Sequence, residues 1–265
     1  MTSYLVMLQT NSNQPFIFSS PRLREQIGAS FEITLLSHWV KKEAKEILDT
    51  DDLPPFFWVS NSSGKVIVRF RKADGDPENL ARQFIRKVTL RALTDAPGLD
   101  VTGVFIETSS RSVDPADLER LDREFSEYSL NRRPAAARFP QFPFLERGSE
   151  SALPASASLG DLEFSQESLQ PNYFDESSPL SLPSRVKRAF ASRSRQRQVD
   201  DVKERLTKQG KALKQEPEFD PTKLAAAFQD GEESEDAKNM LSSVGVVHID
   251  GNGVGAIMRD LGSAH

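Results

Sequence analysis

His248-Ile249-Asp250-Gly251-Asn252-Gly253-Val254-Gly255 is the one stretch of this 265-residue chain where residue types and spacing suggest chemistry. Residues 244–249 ahead of it read as a strand, and residues 256–261 behind it as the first turns of a helix. A carboxylate at a strand end can hold a hard cation such as Mg²⁺. Glycines in the following turn let backbone N–H groups approach phosphate oxygens. Asp250 is the candidate cation ligand, with Gly251, Asn252 and Gly253 beside it. Three other readings stay open. An EF-hand loop matches at Asp250, Asn252 and Gly255, but Val254 and Leu261 stand where ligands are required. A dinucleotide-binding fingerprint needs a wider glycine spacing than Gly251, Gly253 and Gly255 provide. A plain glycine-rich turn with a solvated Asp250 needs no ligand at all.

Composition narrows the classes. There are no cysteines, which excludes a disulfide framework, a thiolate zinc site and a cysteine nucleophile. No basic region followed by an apolar stretch opens the chain, and no apolar run approaches a membrane span. The expectation is a soluble, cytoplasmic protein with no membrane partner. No nucleophile-elbow pattern surrounds Ser149 or Ser151, so a serine–histidine triad with His38 or His248 is not supported. The net charge of −5 is modest, but its distribution is uneven. Residues 184–214 hold eleven Lys and Arg against three Asp and Glu. Such a run is either a helix with a solvated basic face or a phosphate-binding surface, with Arg193, Arg195 and Arg197 as candidate nucleic-acid contacts.

The elements that would position these residues follow from periodicity. Residues 4–8 read as a buried strand. Ser20 and Pro21 look like the cap and first position of a long helix. Leu23, Ile27, Phe31, Leu35 and Trp39 then recur every fourth residue, and the helix ends near Asp49. Residues 56–60 and 65–71 read as a hairpin around Asn61-Ser62-Ser63-Gly64. Asp76-Pro77 opens a second helix with Leu80, Phe84 and Val88 on one face, and residues 99–107 read as a fourth strand. Strand, helix, strand, strand, helix, strand is the ferredoxin-like α/β (α+β) order, with four strands and both helices on one face. Residues 115–128 are helix-like, and residues 148–183 are rich in Ser, Pro and Leu without a period. The expected division is a palm-like domain at 1–112, a helical, irregular and basic connector at 113–240, and the first strand and turn of a second domain at 241–265.

Two segments resemble a known family. Val247-His248-Ile249-Asp250-Gly251-Asn252-Gly253-Val254-Gly255 is similar to the opening strand of the second palm domain in the large subunit of type III CRISPR effector complexes. Phe16-Ile17-Phe18-Ser19-Ser20-Pro21-Arg22-Leu23-Arg24-Glu25-Gln26-Ile27-Gly28-Ala29-Ser30 resembles the first palm of the same subunits, where a short strand leads into a Leu-Arg-Glu helix. The resemblance covers roughly residues 1–145 and 240–265. It implies two facing palms that bind ATP and join it into cyclic oligoadenylate, an antiviral messenger. Mg²⁺ or Mn²⁺ would neutralise phosphate charge. Asp250 matches the metal ligand of the first strand, Gly251 would offer a carbonyl to the same metal, and Asn252 lies near the nucleotide. Partner subunits and guide and target RNA are implied in the same way.

The departures are specific. The family's Gly-Gly-Asp-Asp hairpin is absent from these 265 residues, and Arg147-Gly148-Ser149-Glu150-Ser151 stands where many members carry cysteine pairs. Thr10 and Asn11 stand near the place of a carboxylate, so the first palm reads as non-catalytic. The chain as given is expected to be the front part of a longer protein. A nucleotidyltransferase or cyclase activity would then need the remaining strands of the second palm. The alternative is a non-catalytic scaffold or RNA-contacting subunit of a ribonucleoprotein complex.

Overall fold

The computed structural model describes residues 2–109, 113–131, 133, 135–139, 142–149, 151–157 and 178–208. The chain divides into two compact units, Met1–Ser194 and Arg195–His265. In the second unit the described residues are 195–208, the continuation of one helix.

The first unit is built on a four-stranded antiparallel sheet in the order β2-β3-β1-β4. Its strands are β1 (Ser3–Asn11), β2 (Trp58–Ser62), β3 (Lys65–Arg71) and β4 (Asp100–Thr108). Strand β1 is central and pairs with both β3 and β4, placing Ser3 opposite Arg71 and Thr108, and Asn11 opposite Asp100. Leu5, Val6, Met7 and Leu8 are all fully buried, although successive side chains point to opposite faces. A strand covered on both sides reads as a continuous apolar run, and that is the pattern of β1.

Helices α2 (Leu23–Ile47) and α3 (Pro77–Asp95) cover one face. Val6 and Leu8 of β1 and Val66, Val68 and Phe70 of β3 meet Phe31, Leu35, Trp39, Phe84 and Val88 there. Phe57, Phe70 and Phe84 pack edge to face, with ring centroids 5.3–6.3 Å apart. The ferredoxin-like order and the shared face of the two long helices are as the sequence predicts. The second face is covered as well. Helix α4 (Pro115–Leu130) lays Leu118, Leu121 and Phe125 over Leu5, Met7, Ile67, Val104 and Ile106.

Several boundaries differ from the sequence expectation. The apolar residues Phe16 and Ile17 form part of a short helix, α1 (Asn13–Ile17). It is entered through Ser12 at a φ of 51°. Ser20-Pro21 does not start α2. The Ser20 hydroxyl accepts from the Arg22 N–H at 3.2 Å in a preceding turn, and the helix begins at Leu23, whose side chain is half exposed. The hairpin turn is only Ser63-Gly64, because pairing of Asn61 with Val66 and Ser62 with Lys65 extends β2 beyond Ser60. Asp76 caps α3 as its sequence suggests, accepting from the Asn79 N–H at 3.5 Å with Pro77 at the first helical position.

The long helix α5 (Leu182–Lys208) closes the first unit against α2. Phe190 packs on Phe31 with ring centroids 5.6 Å apart, and Arg188 Nε donates to Glu25 Oε1 at 2.7 Å. Between these contacts the backbones approach so closely that a Cβ at Gly28 would lie 1.7 Å from the Lys187 carbonyl oxygen. Only glycine allows this crossing. Gly28→Ala is therefore expected to lower stability by about 1–3 kcal/mol through overpacking and to detach α5. Denaturant unfolding, with hydrogen exchange of residues 182–194, measures both effects.

Candidate functional site

The sequence-derived residues Asp250, Gly251, Asn252 and Gly253 lie outside the described residues, as does the side chain of Arg195. Arg193 and Arg197 are described on α5, the first half-buried and the second exposed. The earlier bases of the same run are not a solvated face. Arg185 and Lys187 are buried and Arg188 is nearly so, and each bonds within the chain. The signal for this was present in the apolar residues among them, since Val186, Ala189 and Phe190 all face the core.

Among the described residues, polar and charged groups converge at the end of β1. A cavity of about 470 Å³ opens there between the β1–α1 junction, the start of β4, the last turn of α4 and the start of α5. Its walls include Asn11, Ser12, Phe16 and Ser19 from the first junction and Gly98 and Asp100 from the second. Ser129, Arg133 and Phe139 come from the end of α4 and beyond, and Pro183 and Lys187 from α5. The register of β1 against β4 brings Asn11 and Asp100 side by side. The Asn11 amide donates to Thr102 Oγ1 at 2.9 Å and to the Asp100 carbonyl at 3.4 Å. The side chain of Thr10, its neighbour, donates to the Gly64 carbonyl at 3.2 Å. Both residues that stand near the place of a carboxylate thus do structural work as neutral donors.

Lys187 supplies the cavity's buried cation. Its ammonium donates to the Phe16 carbonyl and to Ser19 Oγ, both at 2.7 Å, and lies 4.0 Å from the Phe16 ring centroid. Burial lowers its pKa from the usual lysine value, opposed by the Glu32 and Glu25 carboxylates. Glu32 is fully buried on α2, and neither of its carboxyl oxygens has a hydrogen-bond partner among the described residues. Burial raises its pKa well above the ordinary carboxylate range, and the charge of Lys187 opposes that rise. Arg133 brings a second, exposed cation. Asp100 is the one carboxylate of the wall, and Arg138 Nη2 donates to it at 3.0 Å.

This donor set suits an anion joined to an apolar, planar body. Two cations and the hydroxyls of Ser12 and Ser129 can meet charged oxygens, while Phe16, Phe139, Leu153 and Pro183 offer apolar walls; the Asn11 amide and the Ser19 hydroxyl are already engaged within the chain. It does not suit a divalent cation, because the single carboxylate is already neutralised by Arg138. Among the described residues no three His, Cys, Asp or Glu side chains cluster to hold a metal ion. No described helix is long and apolar enough to cross a membrane.

No protein-family model and no curated protein matches the chain. Among solved structures it is similar to the apo Csm1-Csm4 cassette at 16% identity and a TM-score of 0.41, covering 49% of this chain and 19% of that one. The crystal structure of that cassette in complex with cA4 matches over the same shares at 15% identity and a TM-score of 0.39. The cryo-EM structure of the type III-B Cmr-beta apo state matches at 11% identity and a TM-score of 0.44, covering 75% of this chain and 32% of that one. The chain thus spans between a fifth and a third of the length of the chains it matches.

The Glu32–Lys187 environment has a titration consequence. A carboxyl whose pKa is raised by folding binds its proton more tightly in the native state, so its contribution to stability falls as pH rises above the unfolded carboxylate value. Glu32→Gln is expected to flatten this fall. Denaturant midpoints of the variant and the parent should converge near pH 4.5 and separate toward pH 8, with the variant the more stable there.

Proposed function

We propose that this chain is a nucleotide-binding palm-domain protein of a CRISPR-type antiviral defence complex, with ATP as the nucleotide. The observation that carries the nucleotide reading is the cavity at the end of β1, where Lys187 and Arg133 stand with the hydroxyls of Ser12 and Ser129 against apolar walls. The two sequence segments that resemble the palms of type III large subunits, in the same order, support the defence assignment. They also supply the partners, which are companion subunits with guide and target RNA.

In this reading the first palm binds and orients, and does no chemistry of its own. Lys187 and Arg133 neutralise phosphate charge, and Phe16 and Phe139 flank the base or sugar. Mg²⁺ or Mn²⁺ belongs with Asp250 and the Gly251 carbonyl, beside Asn252 and Gly253, where it would neutralise the triphosphate for attack by a ribose hydroxyl. Joining ATP into a cyclic oligoadenylate requires carboxylates beyond Asp250.

Titration of the full chain with ATP, followed by calorimetry, tests the proposal. Arg133→Ala, at an exposed position, is expected to weaken binding about tenfold, the loss of one charge-assisted hydrogen bond of roughly 1.5 kcal/mol. Binding that ignores Arg133 but disappears in Asp250→Ala would move the nucleotide to the glycine-rich motif. Binding that ignores both would overturn the reading.

The alternative, a scaffold that contacts RNA, draws on the second half of α5, where Arg193, Arg195 and Arg197 follow one another on a helix. It expects RNA affinity that falls steeply with salt and drops further when the three arginines are neutralised. Filter binding at 50 and 200 mM salt decides it, and insensitivity to both changes would reject it.

A further inference from the structure

The free edge of β4 lies at the bottom of a groove with oppositely charged walls. Among the described residues β4 pairs only with β1, so its other edge has no strand neighbour. A cavity of about 690 Å³ runs over that edge at Gly103, Val104 and Phe105. Helix α3 forms one wall with Arg82, Ile85 and Arg86, and helix α4 the other with Glu124, Glu127 and Tyr128. Gly103 and Phe105 face the α3 side, while Val104 packs under α4. A Cβ at Gly103 would lie 2.7 Å from Ile85 Cγ2, so the missing side chain lets α3 settle against the strand. Arg82 pairs with Glu78 at 2.7 Å, and its guanidinium lies 5.0 Å from the Phe105 ring centroid. Arg86, Glu124 and Glu127 are exposed and make no ion pair with a described residue. Leu90 continues the Arg82–Arg86 stripe of α3 one turn further and is 59% exposed.

We propose that this groove takes up an extended segment of a different protein chain, which adds to the sheet as a fifth strand beside β4. The edge strand offers backbone donors and acceptors, and the walls offer the side-chain selection. Side chains of an added strand alternate between the two faces of the sheet. Those on the α3 side meet Arg82 and Arg86, and those on the α4 side meet Glu124 and Glu127. The occupant is therefore a strand with acidic residues at one parity and basic residues at the other.

A second copy of this chain is the wrong occupant. Antiparallel pairing of β4 with its own copy about a two-fold axis keeps each face on its own side. Arg82 and Arg86 would then oppose the same arginines, and Glu124 and Glu127 the same glutamates. Bringing like charges together along the walls is destabilising. The walls thus favour a heterologous strand and disfavour self-association through this edge. The groove is separate from the cavity at the end of β1, and its occupancy does not depend on the nucleotide reading.

The test uses the full chain and two blocked ten-residue peptides of equal composition, one alternating Glu and Lys and one with five Glu followed by five Lys. Amide hydrogen exchange of residues 101–107 is read at millimolar peptide and low salt. The alternating peptide is expected to slow exchange along β4 at least threefold, and the block peptide to leave it unchanged. Arg86→Glu, which makes both walls acidic, is expected to abolish the protection without shifting the melting temperature. Equal effects of the two peptides, or none, would overturn the proposal. So would protection retained in Arg86→Glu. Protection that grows with the chain's own concentration would make the edge a self-interface. Protection by an oligoribonucleotide in place of the alternating peptide would make it a nucleic-acid surface. Either result would also overturn it.

Discussion

The backbone crossing of α2 and α5 at Gly28 is the constraint on which the rest of the first unit depends. Because the Lys187 carbonyl can come so near Gly28, the lysine side chain reaches across α2 to the Phe16 carbonyl and Ser19. That reach ties the β1–α1 junction to a helix more than 160 residues later in the chain. Burying an ammonium group is unfavourable unless opposite charge and hydrogen bonds accompany it. Both are present. Phe16 and Ser19 take two of the lysine's hydrogens, and the neighbouring Glu32 and Glu25 side chains favour its charged form. Arg188 in turn occupies Glu25. A purely apolar contact at this crossing would hold α5 as firmly, but it would leave no cation in the wall of the cavity.

The sheet shows the same economy of position. Its central strand is buried on both sides, so the chain has to supply a cover for each. The α2–α3 pair does so on one face and α4 on the other. Covering the second face also fixes where α4 ends. Its last turn places Ser129 in the wall of the cavity and Tyr128 in the wall of the groove. The Thr108 hydroxyl donates to the buried carboxylate of Asp117 at 2.6 Å, anchoring the other end of α4 to the end of β4.

The periodic elements were legible in the sequence, and the features that depend on distant partners were not. Fourfold spacing from Phe31 to Trp39, the alternation of Val66, Val68 and Phe70, and the Asp76-Pro77 start each reflect local geometry, and each survives in the structure. Ser20-Pro21 carries the chemistry of a helix start, but its hydroxyl is used in an earlier turn. Phe16 and Ile17 form a short apolar run, and a run of that length does not distinguish strand from helix. The larger difference lies in the basic run. Counting charges made residues 184–214 a single surface, whereas the first turns of α5 are interleaved with Val186, Ala189 and Phe190 and fold inward. Charge count registers composition, while burial follows the helical position of the apolar residues among the charges. The cavity was invisible in sequence for a similar reason. Asn11, Arg133 and Lys187 share no local pattern and meet only through the β1–β4 register and the α2–α5 crossing.

The cavity and the groove share parts of the same two elements. Asp100 opens β4 in the cavity wall, and Gly103 to Phe105 continue it as the floor of the groove. Ser129 and Asn131 divide the end of α4 in the same manner. Neither site can therefore be reshaped alone. A strand bonded along β4 fixes the strand that carries Asp100, and a ligand against Ser129 and Arg133 fixes the helix end that carries Glu127 and Tyr128. A substitution that shifts β4 or the end of α4 is therefore expected to reach both sites.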